Sequence, residues 1–254
     1  MSGRAVAFAE APARYDAWYR TAVGRLTHGL ELDAVLALVG EGQPGPGRCA
    51  DLACGTGHYA LALASLGWDV VGVDRSLAML LVARAKSPAG AVRFVCADAA
   101  ALPLPAADFD LITLVLGLEF TEDPAAVLRE AHRVLRPGGS LVLAILRPWG
   151  AWTLWRRLKR ILAPSVWRGA RFLGERELDR LFAASGFAPR ARRRAVHYVP
   201  AVRCGRLLAR WEAAAARLAP GLAAFVAVRA EALETPRAVP VTASHEGLER
   251  GRAT

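Results

Sequence analysis

The chain has 254 residues, of which 54% are apolar and 22% charged, and a formal charge of +10 at neutral pH. This composition excludes a disordered chain, and the length fits one medium domain with additions, because single cores keep growing to roughly 250 residues. The charge could suit a polyanion, yet Lys86 and Lys159 are the only lysines amid abundant Ala and Arg, so no specific nucleic-acid partner is expected.

Residues 1–46 read as an N-terminal helical cap. "RYDAWYRTAVGRLTHGLELDAVLALVG" carries one helical period, and the breaker-rich "EGQPGPG" ends it. The opening "MSGRAVAFAEAPARYD" contains Glu10 and no long apolar stretch, so no secretory signal is expected and a cytoplasmic location follows. Cys49, Cys54, Cys96 and Cys204 lack C-x-x-C pairing and read as buried thiols rather than a metal site.

Residues 47–147 alternate strand and helix patterns. "RCADLA", "DVVGVD", "VRFVCAD", "FDLITLVLG" and "SLVLAIL" read as strands. Between them lie helices from His58 to Leu66, over "SLAMLLVARAKS" with Ser76 as N-cap, and over "PAAVLREAHRVLR", which "PGG" should stop before the next strand. Short apolar strands separated by helices indicate parallel crossovers and a doubly wound α/β sheet. Residues 148–232 hold two insertions, helix "GERELDRLFAASGF" and strands "RARRRAVHYV" and "LAAFVAVRA"; residues 233–254 read as a disordered tail.

"DLACGTG" (Asp51–Gly57) stands between a buried strand and a helix, where glycines let a ligand approach the backbone. "GTGHYA" also satisfies the dinucleotide pattern G-x-G-x-x-[GA], so that ligand is an open alternative. Asp51 before the turn would repel a pyrophosphate and suits a cation. Asp74, ending the second strand, can accept both hydroxyls of a ribose. Asp98, ending the third, can accept from an adenine amine. Three acids at consecutive strand ends describe a ligand with adenine, ribose and an ammonium, but no phosphate.

With these motifs in order, followed by "VCADAAALPLPAADFDLI" and "LEFTEDPAAVLREAHRVLRPGGSLVLAIL", the chain resembles the class I S-adenosylmethionine-dependent methyltransferases over about Cys49 to Leu146. It is most similar to the small-molecule branch that includes ubiquinone and menaquinone C-methyltransferases. The resemblance implies a Rossmann-like sheet of seven strands with an antiparallel last strand, an N-terminal helical cap and inserted lid helices. It also implies that Asp51, Ala53, Gly55 and Gly57 line the methionine end of S-adenosylmethionine, and Asp74 its ribose. Arg75 and Met79 would meet the adenine face, Asp98 and Ala99 its edge, and the Leu114 carbonyl the ammonium. The family often begins with a similar Tyr-Asp, which makes Tyr15 a cofactor residue. After the fourth strand the quinone enzymes carry Gly, an aliphatic residue, Arg and Asn; here stand Gly117, Leu118, Glu119 and Phe120.

The expected reaction is metal-independent methyl transfer to O, C or N of a small acceptor, aromatic or lipid-soluble. A non-catalytic cofactor-binding module and a nicotinamide-dependent oxidoreductase are the alternatives. Candidates for a general base are His58, Glu119 and His197, each beside a plain structural role as helix-start donor, cap or sheet-edge residue. Tyr15, Trp18 and Tyr19 share a helical face that could shield a sulfonium. In 151–162, "AWTLWRRLKRIL", Trp152, Trp155, Leu158 and Leu162 recur at helical spacing among Arg and Lys, which suits either a lid or peripheral contact with a membrane.

Overall fold

The computed structural model describes residues 12–41, 45–150, 152, 170–198 and 205–233. The strands are β1 Arg48–Leu52, β2 Asp69–Asp74, β3 Val92–Cys96, β4 Phe109–Val115, β5 Leu135–Leu146, β6 Phe187–Ala195 and β7 Phe225–Ala232. The helices are α1 Pro12–Tyr19, α2 Ala22–Gly40, α3 His58–Ser65, α4 Leu77–Lys86, α5 Pro124–Val134, α6 Glu175–Ala184 and α7 Gly205–Leu218.

All strands join one sheet in the order β3-β2-β1-β4-β5-β7-β6. β7 runs antiparallel to β5 and β6, and the remaining pairs are parallel. The chain winds outward from β1 to β3 and then returns to place β4 beside β1. That reversal opens a crevice at the carboxyl ends of β1 and β4, where ligands of such sheets bind.

Strand alternation sends neighbouring residues into two cores. Ala50, Ile112 and Leu143 face Val127, Leu128, Ala131 and Val134 of α5 and Phe182 of α6. Cys49, Leu111 and Val142 face Val35 and Leu38 of α2 and Tyr59 and Leu63 of α3. The apolar stripe of α5 recurs at three or four residues, and Asp123 caps its start by accepting from Ala126 N at 3.0 Å. Truncating the fully buried Leu128 to Ala would cost about 2–5 kcal/mol.

Several expectations need correction. Within the N-terminal segment the helical stretch divides in two, α1 and α2. Thr21 accepts from Gly24 N at 2.9 Å as the N-cap of α2, and a Cβ on Gly24 would lie 1.9 Å from Trp18 O, so the chain folds back through a glycine contact. "PGG" does not precede the fifth strand; it lies within β5, where Gly138 takes φ 75° and the register with β4 shifts, a bulge. β3 ends at Cys96, so Asp98 sits beyond it, and His197 lies past the end of β6. Cys49 and Cys54 are buried thiols, but Cys96 is exposed. Apart from Trp152, the expected lid or membrane helix over 151–162 lies outside the described residues, as do Cys204 and the tail beyond Leu233. Among the described residues no helix is long and apolar enough to cross a membrane.

Candidate functional site

β1 delivers the chain into a turn whose backbone is left-handed at Ala53 (φ 53°), Gly55 (55°) and Gly57 (80°). Glycine adopts that conformation freely, whereas Ala53 must be held in it. Two bonds fasten the turn to β2. Cys54 N donates to Val73 O at 3.0 Å, and Gly55 N donates to Asp74 Oδ2 at 2.8 Å. The other oxygen of Asp74 accepts from Ser76 N at 2.8 Å, at the start of α4. Asp74 therefore links the turn to the next helix, and burial raises its pKa while the Ser76 and Gly55 amides oppose the shift. From β4's side, a Cβ on Gly117 would lie 2.5 Å from Ala53 Cβ, so this glycine lets the two loops close together.

Asp51 and Glu119 sit on the adjoining strand ends. Asp51 is buried, and its Oδ1 accepts from Thr113 Oγ1 at 2.7 Å. Oδ2, also buried, has no partner in hydrogen-bonding geometry. Burial pushes this carboxyl up to about 7, with the Thr113 hydroxyl opposing the shift. Glu119 occupies the short 3₁₀ turn Leu118–Phe120 and is 1% exposed. Its Oε1 accepts from Leu146 N at 2.8 Å, at the end of β5, while Oε2 is buried without a partner. Burial pushes it to about 7 as well.

The cap meets this turn through Asp16. Thr56 Oγ1 donates to Asp16 Oδ1 at 2.6 Å, His58 Nε2 lies 3.0 Å from the same oxygen, and Lys86 Nζ reaches both carboxylate oxygens at 3.0 Å. Burial would raise the pKa of Asp16, but the Thr56 and Lys86 hydrogen bonds and nearby positive charge lower it overall. His58 also stacks on Tyr19 with centroids 3.9 Å apart, and its pKa is lowered by burial and by Lys86. Tyr15 bonds Tyr19 through the phenol oxygens at 2.7 Å. Its pKa is pushed up to about 12, chiefly by burial, with the charges of Glu31, Asp74 and Asp16 adding.

The structure thus gathers Tyr15, Ala53, Gly55, Gly57, His58 and Asp74 at one turn, with Asp51 and Glu119 at the adjoining strand ends. Met79 is buried and Arg75 is exposed. Asp98 is exposed and accepts from Ala100 N at 2.9 Å, and Ala99 is buried beside it. Leu114 lies inside β4, paired with Leu52 and Leu143, one residue short of the strand's end. His197 stands apart, because three strand spacings from β4 to β6 amount to roughly 14 Å. There its Nδ1 lies 2.9 Å from Glu212 Oε1, and Glu212 also accepts from Val196 N and His197 N at 2.7 Å. Residue-by-residue reading missed Asp16, Thr56, Lys86, Thr113 and Glu212; only Asp16 had a local signal, as the acid of the Tyr-Asp pair.

These residues fit the ligand that the resemblance implies. A buried carboxylate oxygen at the end of β1 is free to meet an ammonium. Each Asp74 oxygen keeps a second lone pair for a diol. No Arg or Lys lies within the turn from Asp51 to Gly57 to meet a pyrophosphate.

Residues 50–143 match the family described as "Methyltransferase domain". The sheet order, with its antiparallel last strand, is that of the class I methyltransferase fold. Over 115 residues the chain is 40% identical to a demethylmenaquinone methyltransferase of Renibacterium salmoninarum, covering 45% of each chain. It is 33% identical over 193 residues to an uncharacterized protein of Mycobacterium tuberculosis, covering 74% of this chain and 62% of that one. The chain spans about half the length of the demethylmenaquinone methyltransferases that it matches. The solved structure of an S-adenosylmethionine-dependent methyltransferase from Mesorhizobium loti superposes with a TM-score of 0.61 at 26% identity, over 81% of this chain and 99% of that one. The likeness therefore extends beyond residues 50–143.

Proposed function

We propose that the chain is an S-adenosylmethionine-dependent methyltransferase acting on a small-molecule acceptor through an O, C or N nucleophile. The observation that carries this reading is the pair of buried carboxylates at the ends of adjacent strands, Asp51 and Glu119, each with one oxygen unpartnered. A buried, half-satisfied carboxylate is costly, and a cationic ligand relieves that cost.

Bound S-adenosylmethionine supplies a methyl on a sulfonium that is its own leaving group, so the protein's work is alignment and exclusion of water. Asp51 would hold the ammonium and Asp74 the ribose diol. Arg75 and Met79 would face the adenine, and Asp98 with Ala99 its edge. Tyr15, anchored by Asp16 beside it, closes the cap over the turn and keeps water out. Glu119 has one oxygen fixed by Leu146 N–H, which leaves Oε2 to take a proton from the nucleophile; a carboxyl near 7 is suited to that exchange at neutral pH. The named activity of the Renibacterium relative supports an aromatic, lipid-soluble acceptor, while Glu119 and Phe120 depart from the quinone-enzyme pattern and favour a different one.

Calorimetric titration with S-adenosylmethionine, S-adenosylhomocysteine and NADH, on the wild type and Asp74→Ala, tests the reading. Binding of the first two, weakened in the variant, is the expected result. A preference for NADH would overturn it.

A further inference from the structure

A cavity lies against the cap side of the glycine turn, between the α1–α2 elbow, the start of α3 and the end of α4. Its volume is ≈ 550 Å³, and its walls include Arg20, Arg25, His28, His58, Lys86 and a single carboxylate, Asp16. That carboxylate is already committed to Lys86, Thr56 and His58. Arg20 and Arg25 are exposed and have no carboxylate partner among the described residues, whereas Arg129 and Arg133 of α5 and Arg190, Arg192, Arg193 and Arg194 of β6 are ion-paired. The Arg25 guanidinium donates to Arg20 O, which holds it beside the cavity rather than leaving it to sweep through solvent. His28 Nδ1 is buried without a partner. Burial, with the charges of His58 and Lys86, pushes His28 down to about 4, so the walls already repel another proton.

We infer that this cavity binds the phosphate group of a small organic phosphate, beside the glycine turn at a site lined by none of Asp51, Asp74 and Glu119. Two uncompensated guanidinium charges match a dianionic oxyanion, and guanidinium forks bond phosphate oxygens in pairs. A bare phosphate would occupy only part of the volume, which leaves room for the organic portion. Because Asp16 and His58 line the cavity and also fasten the cap, an occupant would hold α1 against α3. The inference does not depend on the methyltransferase reading.

The test is calorimetric titration of the full chain with glycerol 3-phosphate and with inorganic phosphate, at fixed ionic strength. The proteins are the wild type, Arg20→Gln/Arg25→Gln and the control Arg180→Gln/Arg217→Gln, which removes the same charge elsewhere on the surface. Saturable binding of glycerol 3-phosphate with Kd below about 1 mM, weakened roughly tenfold by the first double variant and unchanged by the control, is expected. Equal binding of inorganic phosphate would keep the site and make the free ion its ligand. The binding should also persist in saturating S-adenosylmethionine. Absence of saturable binding, equal loss in both double variants, or competition by S-adenosylmethionine would overturn the inference. Unchanged melting of both variants would show that the fold is intact.

Discussion

Thr56 donates its hydroxyl proton to Asp16 at 2.6 Å, so a side chain of the glycine turn itself holds the N-terminal cap. The contact joins residues 40 apart in the chain, and His58 and Lys86 converge on the same carboxylate. Cap position and turn geometry are therefore one variable: a ligand that orders the turn also orders the cap, and the reverse holds.

Asp16→Asn retains the shape of the latch but removes the charge that Lys86 meets. Hydrogen bonds to charged groups contribute about 1.5–3 kcal/mol, so S-adenosylmethionine affinity should fall by roughly tenfold. Cleavage of the 12–41 segment by trypsin should quicken. In the wild type the Asp16 pKa is depressed, so its contribution is present at neutral pH and is lost only as pH falls through that lowered value. An affinity equal to wild type in the variant would show that the cap does not act on the cofactor.

Asp51 sets a pH dependence on cofactor binding. Its pKa in the folded chain is raised to about 7, so near pH 6 the carboxyl is mostly protonated. A cationic ligand favours the ionised form and must expel that proton. Affinity for S-adenosylmethionine should therefore rise with pH up to about 7 and then level. Titrations at pH 6 in buffers of different ionisation enthalpy should report proton release, and Asp51→Asn should abolish both effects.

Gly117→Ala probes how the crevice is closed. The added Cβ would meet Ala53 Cβ at 2.5 Å and Leu114 Cδ1 at 2.9 Å. Neither neighbour has room to give, because Leu114 is fully buried and Ala53 is held at positive φ. Overpacking of this kind costs about 1–3 kcal/mol, and here the residue displaced belongs to the glycine turn. Both the melting temperature and cofactor affinity should drop; a drop in melting temperature alone would mean that the strain relaxes away from the turn.

The parts of this site that were legible in the sequence are local ones. A strand, a glycine turn and a helix are contiguous, so Asp51, Gly55, Gly57 and Asp74 announce themselves through spacing. The apolar runs of β1 to β4 did so because both faces of a parallel sheet are buried. Asp16 was overlooked because its partners, Thr56, His58 and Lys86, come from elements 40 to 70 residues away. Glu212 was overlooked for a similar reason, since it meets His197 from 15 residues away in the chain. The "PGG" bulge was misread because a glycine at positive φ can end a helix or bend a strand, and only pairing with β4 decides between them.

Of the three candidate bases, Glu119 and His197 can be told apart by one pair of substitutions. Glu119→Gln keeps an acceptor for Leu146 N–H but removes a buried charge. With its pKa raised in the fold from 4.5 to about 7, Glu119 stabilises the native state fully below pH 4.5, and that contribution is lost as pH rises through 7. At pH 8 the variant should accordingly be more stable than wild type by about 3 kcal/mol, with no gain at pH 4. If Glu119 takes the acceptor's proton, the same variant should lose turnover by roughly 100-fold while binding S-adenosylmethionine, since general-base contributions are of that order or larger. His197→Ala should lower stability, because Glu212 loses its imidazole partner, but leave turnover per folded molecule near wild type. Urea melts at the two pH values and single-turnover rates on the first acceptor found would decide the matter. Full activity in Glu119→Gln together with loss in His197→Ala would move the base from the end of β4 to the end of β6.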